Sequence, residues 1–287
     1  MALIEIRVED RHKLASLFEG HFAGFTADSI LEGHTGRALA DSADQPTFAV
    51  LELPKIQVCI LGGDASHALA STYIQGLSQI TQVFYSSPDF VALFNQLHPG
   101  KIIPRQRWAF SAENLDVEHL KQLKANVSNR FRIVPLNVNI VKQLSERKNK
   151  FAAVHGVTFK SPEEFIEKGF GYCVLEGETE SANIACVGSS FAICEAGIEI
   201  QIDTKSSYQG NGLATAIAAS VMLHSLEKGL VPGWDAATPI SASLAEKLGY
   251  TAQGEYDMLI FTNSRFLVYL RNFIHATRRL FKGDNNR

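Results

Sequence analysis

The chain has 287 residues, 46% of them hydrophobic and 20% charged, with a formal net charge of −3. That length and apolar content fill one large core or two smaller ones, and two domains is the better expectation. The near-neutral balance lacks the basic excess that goes with a nucleic-acid partner, and no run of 18 apolar residues is present to span a membrane.

The N-terminus, Met1-Ala2-Leu3-Ile4-Glu5, meets charge at position 5 and has no long apolar segment, so it does not read as a signal peptide. None of the four cysteines (Cys59, Cys173, Cys186, Cys194) forms a C-x-x-C pair, and Cys186 and Cys194 lie in apolar runs as small core residues. A reduced, cytoplasmic setting is expected.

The first 45 residues read as helical and loop-rich, with a short helix opening at Glu9 and breaks at Gly33 to Gly36 and Asp41 to Asp44. Phe48 to Leu53 and Ile56 to Leu61 predict two strands turning at Pro54-Lys55. Gly62-Gly63-Asp64 follows, with Asp64 placed to cap a helix running to about Leu77. This turn reads as a capped helix start rather than a second, degenerate phosphate site. Thr81 to Tyr85 predicts a strand, Ser87-Pro88 opens a helix to about Leu97, and Ile102 to Phe110 predicts a strand containing Trp108. A charged helix over about Glu118 to Asn126 precedes a boundary that divides the chain into 1–129 and 130–287.

The second half alternates more clearly. Arg132 to Leu136 predicts a strand, Val138 to Arg147 a helix, and Ser161-Pro162-Glu163-Glu164 a capped helix start. Gly171 to Glu176, Ala182 to Ala192 and Gly197 to Thr204 predict three strands in antiparallel succession. Gly212 to Glu227 predicts a long helix, Leu230 to Trp234 a strand, Ile240 to Leu248 a helix and Gly254 to Phe261 a strand. A last helix is expected over about Ser264 to Phe281, apolar at Phe266, Leu267, Leu270, Phe273 and Ile274 and basic near its end. Docking on the domain is the better reading for it than lying on a membrane. No internal repeat is visible.

The chemistry concentrates in Gly197-Ile198-Glu199-Ile200-Gln201-Ile202-Asp203-Thr204 and the following Tyr208-Gln209-Gly210-Asn211-Gly212-Leu213-Ala214. In the strand, Ile198, Ile200 and Ile202 face one side and Glu199, Gln201 and Asp203 the other. The strand ends in a glycine-bearing loop that feeds a helix. Unpaired first-turn amides, the positive dipole end and close backbone approach together suit an anion. No Lys-Ser or Lys-Thr follows as in a Walker A loop, and the third glycine of a dinucleotide fingerprint is Thr215. The nine histidines form no H-x-x-x-H pair or cluster, so no metal is expected, and Cys173 has no base nearby in sequence.

The loop matches Q/R-x-x-G-x-G/A through Gln209, Gly212 and Ala214. Downstream, Ser241 to Tyr250 reads S-x-x-L-A-x-K-L-G-Y. On these residues the chain resembles the GNAT superfamily of N-acetyltransferases, and its Pro232-Gly233-Trp234-Asp235 run resembles a two-domain bacterial branch that includes zwittermicin A resistance-type enzymes. The resemblance implies a mixed α/β (α+β) protein. A GNAT fold would occupy 130–287, and a smaller α/β domain over 1–129 would help to form an acceptor cleft. It implies acetyl-CoA as acyl donor and a small-molecule amine as acceptor, joined by direct attack. A homodimer is compatible with it. Amides of Gln209, Gly210, Asn211, Gly212, Leu213 and Ala214 would hold the pyrophosphate. Backbone of Ile202, Asp203 and Thr204 would pair with the pantetheine arm, and an amide near Ile202 would polarise the thioester oxygen. Thr238 and Ser241 would add coenzyme contacts, although relatives tend to carry asparagine at the position of Thr238. Glu199 would serve as general base through a water. Where many relatives carry a tyrosine as general acid this chain has Ala245, which leaves Tyr250 or Tyr256 as substitutes. That departure keeps two alternatives open: a coenzyme A-binding regulator without catalysis, and an interaction module that kept only the fold.

Overall fold

The computed structural model describes residues 2–19, 24–177 and 183–264, so the expected C-terminal helix lies outside the described residues. In chain order the elements are β1 (Ile4–Glu5), a 3-10 helix (Val8–Phe18), α1 (Gly24–Leu31), β2 (Arg37–Ala40), β3 (Phe48–Leu53), β4 (Val58–Gly63), α2 (Ala68–Gln75), β5 (Thr81–Tyr85), α3 (Asp89–Leu97), β6 (Ile102–Ser111), α4 (Val117–Ala125), β7 (Phe131–Pro135), α5 (Val138–Leu144), a 3-10 helix (Arg147–Ala152), α6 (Pro162–Lys168), β8 (Gly171–Glu176), β9 (Asn183–Ile193), β10 (Gly197–Thr204), α7 (Leu213–Glu227), β11 (Val231–Ala236), α8 (Pro239–Leu248) and β12 (Thr251–Phe261). The protein is mixed α/β, as the sequence predicts.

Local chemistry explains where elements start later than expected. Pro54–Ile56 closes a 3-10 turn and Gln57 takes a left-handed conformation at φ 55°, so the strand expected from Ile56 begins at Val58. Asp64 does not cap α2. Its carboxylate accepts from the amide and the hydroxyl of Ser66 at 2.8 and 2.7 Å, a local turn that competes with helix. His67 Nδ1 takes the cap instead, accepting from Leu69 N–H at 3.2 Å. Ser161 caps α6 as expected, accepting from Glu164 N–H at 3.2 Å. Residues expected to continue α5 to Arg147 break at Ser145 and re-form as the 3-10 helix.

Two compact units emerge, interleaved along the chain, whereas the sequence reading places one boundary at 129/130. Of the described residues, the first unit comprises 2–19, 38–105 and 257–264, the second 24–37, 106–177 and 183–256. In the first, strands follow the order β1-β2-β3-β4-β5-β12. Its core is Phe48, Val50, Leu61, Ile74, Val83, Phe90, Phe94 and Phe261, each at most 1% exposed. In the second, the order is β6-β11-β10-β9-β8-β7. Here α7 is apolar almost all round and correspondingly buried, with Ile217, Ala218, Val221 and Met222 at 0% exposure. Both units share one motif that the sequence does not display as a repeat. An antiparallel strand pair (β3–β4, β9–β10) leads through a turn into a helix and then into a strand parallel to the second of the pair (β5, β11). No described helix is long and apolar enough to cross a membrane.

Candidate active site

The site of the second unit begins where two parallel strands part. β10 and β11 pair at Gly197↔Val231, Ile198↔Pro232 and Glu199↔Gly233, and no further. Beyond that point β10 stays with β9 as far as Thr204, while β11 turns to β6, pairing Trp234↔Phe110, Asp235↔Ala109 and Ala236↔Trp108. A bulge in the β9–β10 register between Glu199 and Ile200 supplies the bend. Below the fork, the Phe25 ring of α1 lies over both strands. A Cβ at Gly197 or Gly233 would meet that ring at 2.8 or 2.4 Å. The absence of side chains there lets one aromatic ring cover the last paired residues.

From Ile200 to Thr204, β10 therefore presents an edge of backbone N–H and C=O groups with no β11 partner, which is a template for an added extended chain. The fork holds a cavity of about 740 Å³, within the range of small-ligand sites. The turn before α7 forms one wall. Gly210 and Gly212 have φ of 82° and 75°, and a Cβ on either would meet nothing within 4 Å. These glycines serve conformation and leave the turn's face open. Gly212 occupies the α7 N-cap with no side chain to satisfy the first-turn amides, so the amides of Leu213, Ala214 and Thr215 remain for a ligand.

Of the residues singled out from sequence, Ile202, Asp203, Thr204, Gln209, Gly210, Gly212, Leu213, Ala214, Thr238 and Ser241 line this cavity. Asn211 does not. Its side chain donates to the carbonyls of Tyr208 and Gln209 at 2.9 and 3.3 Å, which tightens the turn. Thr238 Oγ1 caps α8 by accepting from Ser241 N–H at 3.2 Å.

Glu199, Tyr250 and Tyr256 stand apart from the lining. Tyr250 is 5% exposed, packs on Trp234 and donates to the Pro232 carbonyl at 2.9 Å. Burial pushes its hydroxyl well above the usual tyrosine range. Ala245 is wholly buried in the same cluster. Glu199 and Tyr256 belong to a charged group centred on two residues the sequence reading missed, Arg107 and Asp235, both of which line the cavity. Arg107 Nε donates to both oxygens of Asp235 at 3.0 and 2.8 Å. Tyr256 donates to Asp235 Oδ2 at 2.8 Å, and Asp235 N–H donates to Glu199 Oε1 at 3.1 Å. Burial pushes the Glu199 carboxyl up to about 8, the negative charge of Asp235 adds to this, and Arg107 opposes it. Burial pushes Asp235 up as well, against Arg107 and the Tyr256 hydroxyl. Arg107 and Tyr256 favour the charge on Asp235, so the proton rests on Glu199 at neutral pH. Arg107 sits in an otherwise ordinary strand, and nothing local in the sequence marks it. Asp235 had a signal, the Pro-Gly-Trp-Asp run, whose carboxylate falls just past the fork.

The four cysteines are buried and unbridged, and burial raises Cys173 and Cys186 to about 12. Thiolate chemistry at neutral pH has no support in these positions.

Known proteins share sequence and fold with this chain. The family model described as GNAT acetyltransferase matches residues 15–259. An uncharacterized N-acetyltransferase of Bacillus subtilis (strain 168), YdfB, is 33% identical over 100 residues, which is 34% of this chain and 37% of that protein. The match thus spans little more than a third of that relative's length. The crystal structure of a GCN5-related N-acetyltransferase-like protein from Streptococcus suis 89/1591 superposes with a TM-score of 0.76 at 26% identity, covering 88% of this chain and 98% of that one. A GCN5-related N-acetyltransferase from Sphaerobacter thermophilus shares the fold at a TM-score of 0.51 and 12% identity, covering 90% and 94% of the two chains.

Proposed function

This chain belongs to the GNAT acetyltransferase family, whose members are acyltransferases, and on that premise we propose that it moves an acetyl group from acetyl-CoA to a primary amine of a small molecule. The observation that carries the reading is the fork itself. An open anion-binding turn and an unpaired strand edge border one cavity, and a buried acid–base group lies beside it.

The pyrophosphate would sit against the amides from Gly210 to Ala214, and the pantetheine arm would add along Ile202 to Thr204. The amine nitrogen attacks the thioester carbonyl, the C–N bond forms, the C–S bond breaks, and coenzyme A leaves as the thiolate. A backbone amide near Ile202 would face the developing oxyanion. Glu199 would receive the ammonium proton through a water in its deprotonated form, which becomes the major one only as pH rises past about 8, so turnover should climb through that value. Tyr250 is committed to the Pro232 carbonyl in the core, so Tyr256, in the charged group, is the better source of a proton for the thiolate.

Isothermal titration with acetyl-CoA tests the donor assignment. Wild type is expected to bind one equivalent per chain in the micromolar range. Gly212→Glu, which sets charge and bulk in the turn, is expected to stay folded and lose that binding. No heat from wild type at millimolar ligand would sink the reading. Tight binding without turnover across a panel of amines would favour a coenzyme A-binding regulator instead, the reading that buried Ala245 keeps alive.

A further inference from the structure

Beyond the charged group at the fork, a second polar arrangement crosses the face of β9 and β10. His155 lies in the turn after the 3-10 helix Arg147–Ala152, and its side chain is 0% exposed. Its Nδ1 is hydrogen-bonded with Ser189 Oγ at 2.7 Å. Ser189 is wholly buried on β9, directly opposite Gln201 of β10. Asp203 follows two residues on, on the same pleat face. His155 Nε2 stands 3.2 Å from Asp203 Oδ2, yet the pair is not aligned for a hydrogen bond, so Nε2 has no hydrogen-bond partner among the described residues. Buried polar atoms are rarely left so. Asp203 itself is 29% exposed and lines the cavity. Gln201 Nε2 donates to its Oδ2 at 2.9 Å, and no lysine or arginine pairs with it among the described residues.

The charges around the cavity then sort themselves. Asp235 is occupied by Arg107 in a two-pronged pair. Glu199 keeps its proton at neutral pH. Asp203 faces the cavity with no lysine or arginine partner among the described residues, and the buried His155 imidazole stands immediately behind it at 3.2 Å. A carboxylate so placed is complementary to a cation that can donate hydrogen bonds.

We infer that Asp203 receives the acceptor's protonated amine, an aliphatic ammonium, and that His155, fixed by Ser189, is the positioning residue that sets the carboxylate toward the cavity. This deepens the proposed acetyl transfer and rests on it for the identity of the acceptor as an amine. It assigns to the Asp203 side chain a role separate from that of its backbone, which would hold the donor.

The test uses ligand-observed NMR on the coenzyme A-loaded full chain at neutral pH, titrated with n-butylammonium and, as a neutral control of the same shape, n-butanol. Saturable binding of n-butylammonium but not of n-butanol is expected. Asp203→Asn should weaken it about tenfold or more, the scale of a lost hydrogen bond to a charged group. His155→Gln should weaken it less, while its coenzyme A affinity, measured by isothermal titration, holds. If wild type binds the ammonium no better than the alcohol, or if Asp203→Asn binds it as wild type does, the assignment is overturned. If His155→Gln weakens coenzyme A and the ammonium alike, the positioning role is overturned. Failure of the donor reading is visible separately, as wild type that takes up no coenzyme A, and the ammonium titration is then read on the unloaded chain.

Discussion

The molecule contains the same strand–turn–helix–strand motif twice, once shut and once open. In the first unit β4 and β5 pair from Val58↔Gln82 to Leu61↔Tyr85, and Ser86 N–H donates to the Leu61 carbonyl beyond the last pair at 2.9 Å. The parallel strands stay together to the end of β5. The turn is also filled: a Cβ at Gly62 would meet the Phe18 ring at 2.5 Å, and one at Gly63 would meet the Thr47 carbonyl oxygen at 2.1 Å. In the second unit the strands part after three pairs, and the glycines of the turn touch nothing. Glycine therefore means opposite things in the two turns. In the first it admits protein, and in the second it keeps protein out. The same motif becomes a site or a piece of core according to whether its strands fork and whether its turn is covered.

Three substitutions press on that contrast. Gly63→Val should be the most damaging, since it combines φ of 85° with a backbone collision that no side-chain movement relieves. A loss of about 3 kcal/mol or more is expected in urea denaturation, and a loss under about 1 kcal/mol would show the turn is not closed as described. Glu199→Gln comes next and acts through pH. The native carboxyl holds its proton to about 8, against an ordinary value of 4.5, so between those values the native state binds more protons than the unfolded chain. Wild-type stability should fall as pH rises through that window, at up to about 1.4 kcal/mol per pH unit from this group. The variant should gain on wild type across the same window, and parallel pH profiles would refute a buried protonated Glu199. Gly212→Ala should be mildest, costing about 1 kcal/mol from φ of 75° alone, because its Cβ enters open space.

The site was legible where its function is local in the chain. The strand from Gly197 to Thr204, the glycines at 210 and 212 and the cap at Ser161 follow from alternation, positive-φ turns and first-turn amides, which short segments encode. Arg107 and His155 were not legible as site residues, and Asp235 had only the Pro-Gly-Trp-Asp run to mark it. Each reaches the fork or its flank through long-range pairing: Asp235 meets Ala109 across an antiparallel ladder, and His155 meets Ser189 and Asp203 from a distant turn. The repeat escaped notice for a related reason. Two turns with opposite packing demands keep topology in common and little else, so Gly62-Gly63-Asp64 and Gly210-Asn211-Gly212 share no pattern that a linear scan detects.

The interleaving of the units has a consequence for synthesis on the ribosome. β5 ends at Tyr85, but β12, which pairs with it through Leu259↔Val83 and Phe261↔Thr81, is translated about 170 residues later. At ordinary elongation rates that is roughly ten to thirty seconds. Through that interval the nascent first unit carries an unpaired edge of Thr81-Gln82-Val83-Phe84-Tyr85, an apolar and aromatic segment of the kind that recruits other chains. Residues 106–256, the greater part of the second unit, leave the tunnel in that same interval, before the first unit has all its strands. The order of emergence thus sets the sheet that carries the site ahead of the sheet whose sequence comes first.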